Sequence, residues 1–222
     1  MSLFRFLILN LTLLSCFQVF AAADRNNQSC GIEPGKPLSN AYGPWDFTNP
    51  AHQDRLPIVL GAHFTTSVEN HIAGSRNTII GDLDYTLRAI PNYHRALASM
   101  AKYQRQKKMN FKVMDIYYTA DCYFKRAIYM QPRDAVSLML YASHLQLTSR
   151  LDEAEKYYIQ ALELQPDNPE IHYNLGLLYV KSGQLDKASE HADIAYKNHY
   201  PLQGLRNLLE QKAGNNSGVK ED

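Results

Sequence analysis

The sequence lacks the common signatures of catalytic and nucleotide-binding sites. No GxSxG, HExxH, paired CxxC, GxGxxG or phosphate-binding glycine–lysine loop occurs among its 222 residues. Each of those motifs exists because its chemistry needs particular groups at a fixed spacing. Because none is present, we predict a protein that is not an enzyme and that needs no cofactor or metal.

An excess of charge of one sign is also absent, since 23 basic residues face 22 acidic ones. This balance disfavours a nucleic-acid partner, which normally requires a basic surface. Tryptophan is scarce as well, with one residue against fifteen tyrosines. Tyrosine packs between helices while keeping a polar tip, so its excess suits a helical protein with binding grooves.

A long apolar run occurs only at the amino terminus. A short basic start, MSLFR, precedes FLILNLTLLSCFQVF and AAA, which is the layout of a secretory signal peptide over residues 1–23. The run is short for a membrane span. An alternative is a lipoprotein lipidated at Cys16, but the preceding leucines fit that signal poorly and the apolar stretch continues past the cysteine. The prediction is therefore export, to the periplasm if the source is Gram-negative.

Cysteine is rare, and only Cys30 and Cys122 remain once residues 1–23 are removed. In an oxidising compartment two cysteines suffice for one disulfide, which would tie the N-terminal region to the helical body. The alternative is a buried free thiol at Cys122, on an otherwise apolar helix face. The sequence leaves both open.

Small residues recur in register in the second half of the chain. Ala154 is repeated 34 residues later by Ala188, and Ala161 by Ala195. In LELQPDNPEIHYNLG, Pro166 ends one helix, and Asp167 or Asn168 can cap the next. The pattern predicts paired helices that stack through their small residues.

Residues 169–202 resemble the tetratricopeptide repeat family through Asn174-Leu175-Gly176, Tyr179, Gly183, Ala188 and Ala195. Residues 135–168 resemble it through Ala154 and Ala161. The resemblance implies an all-α solenoid of helix–turn–helix units. We place about three repeats: degenerate repeat-like helices over 79–134, then the units 135–168 and 169–202. A capping helix over 203–214 and a disordered tail over 215–222 follow.

Residues 24–78 are rich in proline and glycine and predict an irregular arm, with a short helix near 67–73 capped by Thr65 or Thr66. The arm stretches YGPWDF and HFTTSVE, followed by DLDYTLRAIPNYHRAL, also resemble a group of exported bacterial repeat proteins of unassigned function. That resemblance supports the architecture and adds little on function.

The repeat resemblance implies a concave face that binds a protein or peptide partner. Carried over by position, the partner-binding residues are Val136, Met139, Ser143, Gln146 and Leu147 in one unit and Glu170, Tyr173, Leu177, Val180 and Lys181 in the next. We expect a monomeric scaffold or adaptor, in or near a membrane-proximal complex. We also expect Tyr173→Ala with Lys181→Glu to abolish partner capture with little loss of thermal stability.

Three alternatives remain open from the sequence. The arm could fill the concave face itself, with Tyr42, Trp45 and Phe47 as plugs. A small ligand or a metal could bind arm histidines, namely His52, His63 and His71. An enzyme could use His63 with Asp82 or Asp84 between arm and groove.

Overall fold

The computed structural model describes residues 29–107 and 116–217. The predicted signal peptide, Cys16, residues 108–115 and the last five residues lie outside this part. The chain divides into two compact units, one ending at Pro132 and one beginning at Arg133. The described residues contain helices and no strand, so the predicted all-α fold class is confirmed.

The first unit follows an irregular segment with a 3₁₀ turn at Pro50–His52. Its helices are α1 (Leu56–His63), α2 (Thr66–Glu69), α3 (Ile79–Ala89), α4 (His94–Lys107) and α5 (Ala120–Met130). Helices α2, α3 and α5 begin where Thr65, Thr78 and Thr119 accept a hydrogen bond from an amide in the first turn. The arm is therefore irregular up to residue 49 and helical from 56 to 69, and the short helix predicted near 67–73 is a single turn.

The arm packs on the junction between α3 and α4. The Trp45 amide donates to the Ala89 carbonyl at 2.8 Å, and the Phe47 amide donates to Asn92 Oδ1 at 2.8 Å. Gly43 allows this close approach: its φ is +91°, and a Cβ there would lie 2.5 Å from the Ala89 oxygen. The Phe47 ring meets Tyr93 edge-on at 5.0 Å. The aromatic residues of the arm are thus half-buried and pack against the first unit.

The second unit contains two helical hairpins and a closing helix. They are α6 (Ala135–Leu147), α7 (Leu151–Leu164), α8 (Pro169–Ser182), α9 (Leu185–Lys197) and α10 (Gly204–Ser217). Asn168 caps α8 with Pro169 in the first turn, and α8 ends at Gly183, whose left-handed φ of 78° suits glycine. The hairpins α6–α7 and α8–α9 pack internally, α7 contacts α8, and α10 contacts both α8 and α9.

The recurring small residues lie inside this stack, as the sequence predicts. Ala142, Ala154, Ala161, Ala188 and Ala195 are all fully buried. Gly176 has two close neighbours: a Cβ there would lie 2.5 Å from Leu205 Cδ2 of α10 and 3.4 Å from the Ala188 oxygen of α9. The glycine therefore chiefly makes room for the closing helix. That helix runs to Ser217, three residues into the segment predicted to be a disordered tail.

Candidate functional site

The predicted partner-binding residues of α6 and α8 divide by exposure. Leu147, Glu170 and Lys181 are exposed, with Leu147 at 60%. Val136, Ser143, Gln146, Leu177 and Val180 are half-buried. We call these eight residues the recognition face. They form a mixed apolar and charged surface, which is the composition that peptide-binding helical surfaces use.

Two other predicted binding residues, Met139 and Tyr173, are buried in the second unit. Tyr173 belongs to a core cluster with Leu205 of α10, and its ring lies 4.4 Å from that of Tyr200. Burial raises the pKa of the Tyr173 hydroxyl, as expected for a group removed from water. Because Tyr173 is buried, we now expect Tyr173→Ala with Lys181→Glu to lower thermal stability, contrary to the expectation from the sequence.

A side chain of α8 ties it to α6 across the recognition face. Lys181 Nζ donates to the backbone oxygen of Gln146 at 2.8 Å, while Gln146 Oε1 accepts from the Tyr158 hydroxyl at 2.9 Å. Glu170 and Lys181 lie in the first and last turns of α8, where their charges also suit the helix dipole. The face thus carries a negative group at one end of α8 and a positive group at the other.

A second candidate site lies in the first unit, where His63 at the end of α1 meets Asp82 in α3. His63 Nδ1 is 2.8 Å from Asp82 Oδ1, and the Asp82 side chain is fully buried. The other carboxylate oxygen accepts from the backbone amides of Ser75, Arg76 and Asn77 at 2.6, 3.1 and 3.2 Å. One carboxylate therefore fixes both a histidine ring and the loop before α3.

These contacts set the ionisation of Asp82. Burial by itself raises the pKa of this carboxyl, but the hydrogen bonds from His63 and from the Ser75, Asn77 and Arg76 amides outweigh burial. The net result is a pKa below the ordinary value, so Asp82 is an ionised carboxylate at neutral pH. An anionic acceptor at Nδ1 favours the tautomer of His63 that carries its proton there.

The His63 ring is also held from its face, because Tyr85 stacks on it with ring centroids 4.0 Å apart. An open cavity of about 230 Å³ lies next to the pair. Its walls are mainly apolar and come from the arm, α1 and α3. A fixed imidazole at the edge of an apolar cavity is an arrangement that binding sites commonly use.

The sequence named Asp82 and Asp84 together, but the structure separates them. Asp84 accepts from Arg88 Nε at 2.9 Å and from the Tyr123 hydroxyl at 2.7 Å. Burial, together with the Asp84 charge and hydrogen bond, raises the pKa of Tyr123 far above its ordinary value. Asp84 is thus a structural partner in the core, whereas Asp82 faces His63.

The arm histidines do not form one cluster. His52 Nδ1 accepts from the Asp46 amide at 2.9 Å, while His71 Nε2 lies 3.0 Å from Ser99 Oγ. Each of the three therefore has its own polar partner. Within residues 29–107 and 116–217 no group of three or more histidine, cysteine or acidic side chains is placed to hold a metal ion.

Cys30 and Cys122 are joined by a disulfide bond that links the start of the described chain to α5. Arg126, one turn further along α5, donates to the Cys30 carbonyl oxygen at 3.0 Å. The alternative of a free thiol at Cys122 does not describe this structure.

Residues 148–191 match the TPR repeat (tetratricopeptide repeat) family. The chain is 36% identical over 73 residues to the peroxisomal targeting signal receptor of Candida albicans, a match covering 33% of this chain and 12% of that protein. A solved structure of PilF from Pseudomonas aeruginosa superposes with a TM-score of 0.51 at 19% identity, covering 74% of this chain and 70% of that one. Residues 148–191 are therefore similar to a tetratricopeptide repeat, and the PilF likeness shows the fold of the chain alone.

Tetratricopeptide repeats are typically non-catalytic scaffolds for protein interaction, and this chain carries such repeats. Among the helices of the described ranges, none has the length and apolar character needed to cross a membrane.

Proposed function

We propose that this protein is an exported scaffold that binds a segment of a partner protein on the recognition face and performs no chemistry. The observation that carries the proposal is the exposure of Leu147. A large apolar side chain that is 60% exposed lies among residues that are half-buried and apolar, on the helices that the repeat family uses for binding. Covering it with a partner would remove its apolar surface from water.

The chemistry of the face indicates the kind of segment that it would bind. Leu147 and its half-buried apolar neighbours suit one or two aliphatic side chains. Lys181 suits a carboxylate, and Glu170 suits a basic group, so an extended or helical peptide with charges of both signs is complementary. Because the exposed ion pairs would be screened by salt, they would select the partner more than they would strengthen its binding.

Two observations support the proposed location and role. The disulfide between Cys30 and Cys122 suits an oxidising compartment, in agreement with the predicted signal peptide. The Candida albicans relative is named as a receptor for a targeting signal, which supports recognition as the task of the shared segment. We further propose that the protein is a monomer close to a membrane complex, in the periplasm if the source is Gram-negative.

A capture experiment with matched variants tests this function. The mature protein is immobilised and exposed to the native envelope fraction, and bound proteins are identified by mass spectrometry. Leu147→Asp with Lys181→Glu changes two exposed residues of the recognition face. Ile159→Asp with Lys156→Glu makes the same two kinds of change at exposed positions of α7.

The proposal expects the first double variant to lose a partner that the second double variant retains at wild-type level. Equal retention by both variants would reject the recognition face. Thermal unfolding of both variants serves as the control, and both should stay folded because all four changed side chains are exposed. Only a small decrease is expected for the first variant, which loses the contact of Lys181 with the Gln146 oxygen.

A further inference from the structure

The cavity beside His63 has the features of a small-molecule site that is separate from the recognition face. It is lined by Tyr42, Ile58, Val59, Ala62, His63 and Tyr85. Three aliphatic side chains and two tyrosine rings form its walls, and the imidazole supplies a ring nitrogen. A cavity that is mainly apolar with one fixed polar group orients a ligand that has both characters.

The hydrogen bonds around His63 determine which nitrogen a ligand can use. Nδ1 is occupied by Asp82, whose carboxylate is ionised and fully buried. In the neutral ring, Nε2 then carries a lone pair and acts as an acceptor. No hydrogen bond reaches Nε2 from the described residues, and the stacked Tyr85 ring holds the imidazole plane in place. Because His63 lines the cavity, Nε2 is the ring nitrogen left to accept a hydrogen bond from a ligand.

The walls of the cavity are also held in position. The Tyr42 hydroxyl donates to the Arg55 carbonyl oxygen at 3.1 Å, so the ring of Tyr42 is anchored at its polar end. Ile58 is 66% exposed although it borders a cavity of about 230 Å³. An apolar cavity of about 150 Å³ can hold a benzene ring, so this one has room for a single substituted ring.

We propose that this cavity binds a small neutral molecule with an aromatic or branched aliphatic body and a hydroxyl group that donates to His63 Nε2. Phenols and alcohols are the chemical class. A purely apolar molecule would cover Nε2 without satisfying it. A carboxylate would bring negative charge close to the buried Asp82 carboxylate, which disfavours it. The hydroxyl donor is therefore the group that the site selects.

Titration of the full mature protein by NMR tests this site with three probes of one shape. They are 4-methylphenol, its methyl ether 4-methylanisole, and 4-methylbenzoate. The proposal expects 4-methylphenol to shift the amide signals of α1 and α3 and the Nε2 signal of His63. The ether and the benzoate should bind about tenfold or more weakly, the ratio that one lost hydrogen bond produces.

Equal affinity for 4-methylphenol and 4-methylanisole would overturn the proposal, as would a proton on Nε2 of neutral His63. Absence of any shift at α1 and α3 with millimolar 4-methylphenol would also overturn it.

Two exposed isoleucines provide variants that keep the fold. Ile58→Asp places a charge in the cavity wall, whereas Ile72→Asp changes a residue that is 75% exposed and outside the lining. Binding of 4-methylphenol should be lost in Ile58→Asp and unchanged in Ile72→Asp. His63→Phe keeps a ring against Tyr85 and removes the acceptor, so it should bind 4-methylphenol and 4-methylanisole equally. Retention of the preference for the phenol in His63→Phe would contradict the proposal.

Discussion

The two units of this protein stabilise their helices in different ways. In the first, buried polar groups reach partners far along the chain: the Tyr123 hydroxyl donates to Asp84 across 39 residues, and Arg126 donates to the Cys30 carbonyl across 96. In the second, buried polar groups reach partners closer in sequence: Ser137 Oγ donates to Asp134 three residues before it, and the Tyr179 hydroxyl donates to Glu155 across 24 residues. In the second unit the buried alanines Ala154 and Ala188, and Ala161 and Ala195, also recur in register from one hairpin to the next.

The two units therefore favour different kinds of binding site. A repeat held by small side chains leaves the outer surfaces of its helices free for partners. A unit with long-range polar contacts can place side chains such as His63 and Asp82 together in a buried setting. The predictions below test this contrast, beginning with the largest expected effect.

Replacing both cysteines by serine should give the largest loss of stability, because the disulfide closes a loop of 92 residues in sequence separation. The expected decrease in the free energy of unfolding is about 4 kcal/mol for a loop of that length. Urea denaturation followed by circular dichroism measures it. Addition of reductant to the wild-type protein should reproduce the decrease, and a midpoint that neither treatment moves would remove the disulfide from the account of the first unit.

Tyr173→Ala should give the next largest decrease in the free energy of unfolding, about 3 kcal/mol, because it deletes a buried ring from the cluster around Leu205. Leu147→Ala is the matched change on the recognition face and should cost about 0.5 kcal/mol or less. Urea denaturation of both variants gives the two values. Equal losses would mean that Leu147 is packed or that Tyr173 is not.

Gly176→Ala should destabilise the second unit by about 2 kcal/mol, because the added methyl group meets Leu205 and the Ala188 oxygen. Gly214→Ala adds a methyl group into open space on α10 and is the control. Thermal unfolding should show a lower midpoint for the first variant and an unchanged or slightly higher one for the second. A stabilised Gly176→Ala protein would show that α10 does not pack as described.

The smallest effect is a pH dependence centred on His191 in α9. Burial lowers the pKa of His191 to about 4 from 6.5, and the charges of His172 and Lys187 add to the shift. His191 takes up a proton below pH 6.5 in the unfolded chain but only near pH 4 in the folded chain. Its contribution to the free energy of unfolding is therefore complete above pH 6.5 and is lost as the pH falls towards 4. Since the ring is half-exposed, the loss should be about 1 kcal/mol.

Urea midpoints measured between pH 7 and pH 4 test this prediction, with His191→Gln as the variant that should show a smaller decrease. Asp46 and Asp82 also have lowered pKa values, but the stability change that they cause occurs mainly below their ordinary pKa of 3.8, outside the measured pH range. A decrease that is unchanged in His191→Gln would assign the effect to another group.

The fold of the second unit could be predicted because its information is local. The spacing of Ala154 and Ala188 and the proline at 166 specify helix contacts and helix ends within one repeat, and both alanines are fully buried. A capping helix was predicted, but its packing on Gly176 and Tyr173 was not, because these contacts lie outside the repeat pattern. Tyr173, one of the ten residues named for binding, is buried by that packing, and Met139 is buried as well.

The His63–Asp82 pair could only be named as one option from the sequence. Its two members lie 19 residues apart. The residues between them have no regular periodicity from which the distance between the two side chains could be derived. Asp82 and Asp84 are equivalent in sequence, and only the direction of each side chain on α3 distinguishes them. His52, His63 and His71 were also named together from the sequence, but the fold gives each of them a separate polar partner.

The central claim is that the recognition face binds a partner protein, and site-specific photocrosslinking in the native cell tests it most directly. A photoreactive phenylalanine analogue is placed at Leu147 in one strain and at Ile159 in another, since both side chains are exposed and both lie in the second unit. We predict a discrete crosslinked product from position 147 and none from position 159. Crosslinking from position 159 alone, or from neither position, would contradict the claim.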